Sequence, residues 1–369
     1  MRGSNGPLIR LRPGRVVKIT ASRPGLVEAL VLVEGREEKA VACTAFTGEL
    51  KPGDAVLLNT TAVAKGLGSG GYHFVVANLA QAELDAPEAG HIVKLRYTPA
   101  QIKVLAVEEP ESPFHELLRK AENLGGTPVV ALELHSQLAP VAAAVRQRAG
   151  GRLRLVYVMT DGAALPVAFS RAVAELKEKG LLAATVTAGH AFGGDFEAVN
   201  VYSGLLAAKY AGGADVIAVG MGPGVVGTGT RYGTTALEQG EVINAAHVLS
   251  GRPVAVLRLS FADPRLRHWG VSHHTITALG RVALAPATIP VPVMAPEKAA
   301  LVQEQLEEAK ITQRHRLVTV DAAAVFTALD ELELKVSTMG RGRDAEPEFF
   351  LAAGAAGLVA AELALDMKV

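Results

Sequence analysis

The densest group of chemically reactive side chains lies in the stretch SFADPRLRHWGVSHHT, residues 260–275. It contains one Asp, two Arg, three His and the only Trp of the chain. Histidine supplies acid/base chemistry near neutral pH and is a common metal ligand, whereas arginine binds phosphate or carboxylate through paired N–H groups. The stretch is therefore an anion-binding site with an acid/base histidine, a metal site or a charged turn, and we favour these in that order.

In the favoured interpretation, His268 is a catalytic acid or base, and Arg265 and Arg267 bind the substrate anion. An ion pair between Asp263 and one of these arginines is the structural alternative, and it is compatible with an anion site. Both interpretations use residues of the same short segment.

A divalent metal ion would need ligands from more than one segment. The chain contains no H-E-x-x-H or C-x-x-C motif. Adjacent residues on a helix point about 100° apart, so His273 and His274 are not expected to bind one ion together. The predicted ligand set is His190, Asp195 and His273, and it ranks second because two nearby guanidinium groups repel a cation.

Other polar residues follow apolar, strand-like runs. Asp161 comes after LRLVYVM and His190 after ATVTA, just as His268 follows VAVLRLS. In open α/β sheets ligands bind outside the carboxyl ends of the strands. We therefore predict that Asp161, His190 and His268 are the catalytic residues of one site along this edge.

A glycine-rich segment follows the run ADVIAVG. Gly222, Gly224 and Gly227 satisfy G-x-G-x-x-G, the dinucleotide-binding pattern. Glycines continue beyond it, and no acidic residue ends the next strand, which argues against a dinucleotide. Free backbone N–H groups, with Thr228 and Thr230, suit phosphate or carboxylate. A loop that only needs glycine for its backbone shape is an equal alternative.

The segment GHAFGGDFEAVNVYSG, residues 189–204, indicates a glycine turn followed by a helix. Asp195 is expected to be the N-cap and Glu197 a first-turn acid. Asn200 has no capping role in that arrangement. We therefore predict that Asn200 orients the substrate.

Two regions with different sequence patterns must position these residues. Residues 14–79 contain short β-branched runs separated by turns, which predict a small all-β barrel or sandwich. After residue 113, apolar runs alternate with helical segments, as in a parallel sheet covered on both faces. We predict an all-β domain over residues 1–95 and a three-layer, Rossmann-like α/β domain over residues 96–369.

The charge balance limits the classes of partner. The 369 residues contain 37 Lys and Arg against 37 Asp and Glu, so no overall field favours nucleic acid or an anionic membrane. The start of the chain lacks the apolar segment of a signal peptide, and Cys43 has no second cysteine to pair with. We expect a cytoplasmic protein. The small-residue helix FFLAAGAAGLVAAELAL fits burial against the sheet better than a homo-oligomer contact.

Several long strings carry a family resemblance. They are MTDGAALP, GHAFGGDFEAVNVYSGLLAA, GMGPGVVGTGT, RLSFADPRLRHWGVSHHTITAL and STMGRGRDAEPEFFLAAGAAG, with GDAVLLNTTAVAKGLGSGGYHFVVAN in the N-terminal half. With them the chain resembles a bacterial family known as domain of unknown function 3866. The resemblance covers nearly the whole chain and implies no established activity, cofactor or catalytic residue.

The residues themselves therefore carry the functional hypothesis. We predict an enzyme, a hydrolase or transferase, that acts on a small phosphorylated or carboxylated metabolite and uses a divalent metal in one version. The alternative is a non-catalytic, small-anion-binding or regulatory module.

Overall fold

A computed structural model describes residues 7–81 and 83–368. The chain forms two compact units, one of residues 1–88 and 95–103, the other of residues 89–94 and 104–369. The sequence predicted a single boundary after residue 95. The chain instead passes from one unit to the other three times, because residues 89–94 belong to the second unit before residues 95–103 return to the first.

The first unit is a closed five-stranded barrel. Its strands are β1 (Leu11–Arg23), β2 (Leu26–Val33), β3 (Arg36–Cys43), β4 (Ala55–Asn59) and β5 (His73–Asn78). They follow the order β1-β2-β3-β5-β4, in which β3 and β5 are parallel and the other pairs antiparallel. Short helices α1 (Thr44–Thr47) and α2 (Thr61–Ala64) flank β4. Val31, Ala40 and Val56 are fully buried inside the barrel, and apolar residues at alternating strand positions build its core.

The second unit contains a fully parallel eight-stranded sheet in the order β11-β10-β9-β12-β8-β13-β16-β17. Its strands are β8 (Pro128–Ala131), β9 (Leu155–Thr160), β10 (Ala184–Ala188), β11 (Phe196–Ala198), β12 (Val216–Met221), β13 (Arg252–Ala255), β16 (Thr288–Pro292) and β17 (Arg316–Val320). Three short pairs lie outside it: β6 (Ile92–Lys94) with β7 (Ile102–Val104), β14 (Leu259–Ser260) with β15 (Gly270–Val271), and β18 (Ser337–Thr338) with β19 (Arg341–Gly342).

Helices cover both faces of this sheet. They are α3 (His115–Lys120), α4 (Leu138–Ala149), α5 (Arg171–Glu178), α6 (Val201–Tyr210), α7 (Glu238–Val248), α8 (His273–Thr277), α9 (Pro296–Glu308), α10 (Ala324–Glu331) and α11 (Pro347–Asp366). One apolar cluster joins the sheet to α6, α7 and α9, and another joins it to α4, α5, α10 and α11. Val129 and Val130 of β8 lie in opposite clusters, because successive strand residues face opposite sides. The predicted three-layer α/β fold is confirmed.

Helix α11 is long and apolar enough to cross a membrane by length and composition alone. In the structure 78% of its 18-residue apolar window is buried. A Cβ on Gly357 would lie 2.5 Å from the Val141 carbonyl oxygen of α4. The small-residue face therefore allows close packing of α11 on α4, and α11 is a core helix of the second unit.

The helix after the glycine turn was predicted to start at Phe196, and this start was wrong. Residues Phe196–Ala198 form β11 beside β10, and α6 begins at Val201. The Oδ2 atom of Asp195 accepts hydrogen bonds from the Thr185 amide (2.8 Å) and hydroxyl (2.9 Å), so it ties the two strands together instead of capping a helix. Asn200 is the N-cap, with Oδ1 accepting from the amides of Tyr202 and Ser203. The premise that Asn200 has no capping role was therefore wrong.

Candidate functional site

A buried ion pair lies at the carboxyl ends of two neighbouring strands. Glu133 follows β8 and Arg258 follows β13, and these strands pair in parallel register. The exposed fractions of the two residues are 1% and 3%, and Nη1 of Arg258 lies 3.3 Å from Oε1 of Glu133. The hydroxyl of Thr275 donates to the other carboxylate oxygen. The two buried charges thus offset each other, as buried charges must.

Three histidines lie beside this pair. The ring centroids of His273 and His274 are 4.2 Å apart, and that of His268 is 5.1 Å from each. Their ligand atoms all lie within 4.8 Å of one another. His273 and His274 were not expected to bind one ion together, but their rings converge here because both occupy the first turn of α8. Side chains there lean back toward the helix N-terminus, where the segment carrying His268 returns.

Neighbouring groups orient the three rings. Nδ1 of His268 is hydrogen-bonded to the Ser272 hydroxyl (2.8 Å), and Ser272 is also the N-cap of α8, accepting from the His274 amide. Nδ1 of His274 is 3.4 Å from Nη1 of Arg258. Among the described residues, the buried Nε2 atom of His273 has no hydrogen-bond partner. A buried polar atom without a partner needs a ligand or an explanation.

The surroundings hold all three imidazoles in the neutral form. Burial, with the nearby Arg258 charge, lowers the pKa of His268 to about 3. Burial and the adjacent His273 lower the pKa of His274 to about 3 as well. Burial and the Arg267 charge also lower the pKa of His273. Neutral imidazole is the form that donates a lone pair to a metal ion.

The glycine-rich loop contacts this cluster. A Cβ on Gly227 would lie 3.0 Å from Cε1 and 3.1 Å from Nε2 of His274, so the loop packs directly on that ring. Gly222 is also required for packing, since its Cβ would lie 2.5 Å from the Ala164 carbonyl oxygen. The hydroxyls of Thr228 and Thr230 bond to each other at 2.9 Å. These contacts explain much of the loop without a ligand, and its anion-binding role stays a prediction.

Gly224, also in this loop, has a φ of 115°. Residues with a Cβ atom rarely adopt such a positive φ. That conformation is a backbone reason for glycine at this position.

The two predicted anion-binding arginines differ in their surroundings. Arg265 forms a two-pronged ion pair with Asp263, with Nε and Nη2 at 2.8 and 2.7 Å from the carboxylate oxygens. This pair holds the pKa of Asp263 well below its usual range. Arg267 is exposed and has no partner among the described residues. It lines a cavity of about 400 Å³ together with His273.

Asp161 and His190 form a separate group. Oδ2 of Asp161 accepts a hydrogen bond from the His190 amide at 2.8 Å. Three strands lie between β10, which precedes His190, and β13, which leads to His268. Four strand spacings amount to about 19 Å. The ends of the strands that lead to His190 and His268 are therefore well separated, which argues against one crevice for Asp161, His190 and His268.

The predicted metal set is not assembled either. Asp195 binds Thr185 and lies 2.5 Å from Nζ of Lys177, and His190 leaves the sheet at β10. Within residues 7–81 and 83–368, the one group of three or more potential metal ligands in suitable proximity is His268, His273 and His274. His273 is thus the member of the predicted set that lies in a candidate metal site.

Glu133, Arg258 and His274 were not predicted as site residues. Glu133 and Arg258 each interrupt an apolar run, PVVALEL and PVAVLRLS. Opposite charges near the ends of two runs that form buried strands are a usable signal, because lone charges are rarely buried. Glu238 was also missed, and burial together with the Asp161 charge raises its pKa to about 7.

The comparisons with known proteins give a family and no activity. A family model described as "Protein of unknown function (DUF3866)" matches residues 39–357. No curated protein and no solved structure matches the chain. Because the matched region covers well over half of the chain and includes the three histidines, the chain belongs to the DUF3866 family.

Proposed function

We propose that this protein is an enzyme that hydrolyses, or transfers a group from, a small phosphorylated or carboxylated metabolite with the help of a divalent metal ion. The metal would be held by His268, His273 and His274. The observation that carries the proposal is the convergence of three neutral, largely buried imidazoles whose ligand atoms lie within 4.8 Å of one another.

The donor set favours zinc and a catalytic role. Three histidine ligands leave the fourth tetrahedral position for water or substrate. A zinc ion in such a site supplies a hydroxide nucleophile near neutral pH and polarises the bond to be cleaved. This role replaces free acid/base chemistry at His268, since a ring nitrogen bound to metal cannot also exchange a proton.

The surrounding residues support the same role. When Nδ1 of His268 donates to the Ser272 hydroxyl, its Nε2 atom presents a lone pair to the ion, which is a common second contact of ligating histidines. Glu133 lies 3.3 Å from Arg258 and offsets that charge, which reduces the repulsion that a bound cation would meet. Arg267 lines the cavity beside His273 and would attract the anionic substrate. We also infer a cytoplasmic location, in keeping with the single, unpaired cysteine.

Metal analysis of protein purified without a polyhistidine tag tests the proposal. We expect about one equivalent of zinc per chain in the wild type, and less than about a tenth in His273→Ala, because zinc needs all three ligands. His247→Ala is the matched control, since His247 is an exposed histidine on α7. It should retain the metal.

Activity is then measured on a panel of phosphate esters and carboxylic esters, with and without added zinc. Turnover that His273→Ala abolishes and His247→Ala retains would support the enzyme. A wild-type protein that holds under about a tenth of an equivalent of any divalent metal would overturn the metal site. Anion binding without any turnover would favour the non-catalytic module instead.

A further inference from the structure

A second cavity, of about 580 Å³, lies next to the one that His273 lines. The two cavities share Ile276, Glu308 and Ala309 in their walls. The larger one is lined by four cationic side chains, those of Arg231, Arg281, Lys310 and Arg314, and by one carboxylate, that of Glu308. Its wall therefore carries a large excess of positive charge in a protein whose total charge is zero.

The four cations come from three separate segments of the chain. Arg231 belongs to the glycine-rich loop after β12, and Arg281 to the π-helical turn Ala278–Val282 that continues α8. Lys310 and Arg314 follow the end of α9. Such turns of π-helix occur often at functional sites. A solvated face of one helix would not bring these charges together, so the fold itself makes the cavity basic.

The cationic groups are available to a ligand. Among the described residues, the side chains of Arg231, Arg281 and Lys310 form no hydrogen bond or ion pair, although Glu308 lines the same cavity. Arg314 is positioned by its own contact, because Nη1 donates to the Ala283 carbonyl oxygen at 2.7 Å. Like charges that converge without acidic partners repel one another, and a bound anion would relieve this repulsion.

The charge excess also selects the kind of anion. A single carboxylate would leave most of the charge uncompensated, whereas each phosphate monoester group carries about −1.5 to −2 at neutral pH. Arginine and lysine both bind phosphate oxygens well. Two linked phosphates would match the excess, and the cavity has room for them.

We propose that this cavity binds the diphosphate group of the substrate, so that the metabolite is an organic diphosphate whose reacting part extends along the shared wall toward His273. The placement of the reacting part of the substrate near His273 rests on the proposed function. The inference deepens that function by choosing a diphosphate over a carboxylate as the recognised group. The binding of the diphosphate itself depends only on the cavity.

Calorimetric titration with inorganic pyrophosphate tests the inference, on the full-length wild type and on Arg281→Gln/Lys310→Gln. We expect the wild type to bind pyrophosphate, and the double variant to bind it at least about tenfold more weakly because two charge-assisted contacts are lost. Arg316→Gln is the matched control. Arg316 is an exposed arginine of β17 outside the cavity, and its variant should bind as the wild type does.

Two further measurements separate the possible failures. Citrate, a polycarboxylate probe, should bind more weakly than pyrophosphate to the wild type, and equal or tighter binding would overturn the choice of a diphosphate. Absence of pyrophosphate binding, or equal binding by the double variant, would overturn the cavity as its site. Zinc content, measured on the same samples, should not change in the double variant. A wild-type protein that contains no zinc but still binds pyrophosphate would reject the metal-assisted reaction and leave the diphosphate site standing.

Discussion

At the scale of single residues, the candidate site depends on charges that the chain buries in pairs. Glu133 and Arg258 are both almost fully buried and 3.3 Å apart. Removing one partner of a buried pair leaves an uncompensated charge and typically costs about 3–5 kcal/mol, whereas replacing both costs much less. The intact pair therefore adds little net stability around His274, but each charge is costly to bury once the other is removed.

We predict that Arg258→Met lowers the free energy of unfolding of the α/β unit by about 3 kcal/mol or more, and that Glu133→Gln/Arg258→Met recovers part of this loss. Urea unfolding followed by Trp269 fluorescence measures it, since the only Trp lies in this unit. A double variant no more stable than the worse single variant would contradict the pairing.

The same variant has a defined pH dependence. Burial raises the pKa of Glu133, and the Arg258 charge opposes this rise. Without Arg258 the folded-state pKa lies still further above the unfolded value. A group of this kind stabilises the fold below the unfolded pKa, and the contribution is lost as the pH rises through the folded pKa. The defect of Arg258→Met should therefore be larger at about pH 8 than at about pH 5.

At the scale of elements, the glycine-rich loop and α8 act as one unit, because Gly227 packs on His274. A Cβ at this position would lie about 3 Å from two ring atoms, and the buried ring has little room to move. We predict that Gly227→Ala displaces His274 and weakens zinc binding about tenfold or more, as loss of an outer contact to a metal ligand does.

Competition with a chromophoric zinc chelator measures this change. Gly342→Ala serves as the control, since its Cβ would meet only the Val336 carbonyl oxygen at 3.9 Å. If Gly227→Ala bound zinc as tightly as the wild type does, the loop would have no part in holding the cluster.

Much of the element pattern could be predicted from the sequence. The apolar runs ending near Met159, Ala188 and Gly220 form buried strands. The small residues of α11 are buried as expected, but Gly357 packs on α4 and not on the sheet. The helix was predicted to start at Phe196, where the structure has a strand. The cause is local, because Asp195 accepts a hydrogen bond from Thr185 of the neighbouring strand instead of capping a helix. Short strands and caps use the same residue types, so composition alone does not separate them.

At the scale of the whole molecule, the order of strands decided which polar residues could meet. The sequence indicates that Asp161, His190 and His268 all leave the same edge of a parallel sheet. It does not indicate that β12 and β8 lie between β9 and β13. That order follows from long-range packing, and it moves Asp161 and His190 away from the histidine cluster while bringing Glu133 and Arg258 to it.

The chain's repeated passage between the two units gives a prediction at this scale. Tyr97 is 99% exposed, so chymotrypsin should cut after it. The piece that carries the barrel would then still contain residues 89–94 of the α/β unit, just before its new end at Tyr97. There Lys94 is fully buried, with Nζ 2.7 Å from Glu197 and 3.0 Å from the Thr187 carbonyl oxygen.

We therefore expect the two pieces to elute together in gel filtration and to separate only in denaturant. Lys94→Met, which leaves Glu197 without its buried partner, should release the barrel piece more readily. Elution of the wild-type barrel piece alone in native buffer would contradict the embedded segment.

The interleaved segments also restrict how such a protein can arise or be re-engineered. A single recombination event that exchanged the barrel at one junction would carry residues 89–94 into a foreign partner, or leave residues 95–103 behind. The first unit can be inherited whole only when both junctions, after residue 88 and around residues 95–103, change together. We expect the two parts to have been transmitted as one gene segment and not shuffled as separate modules.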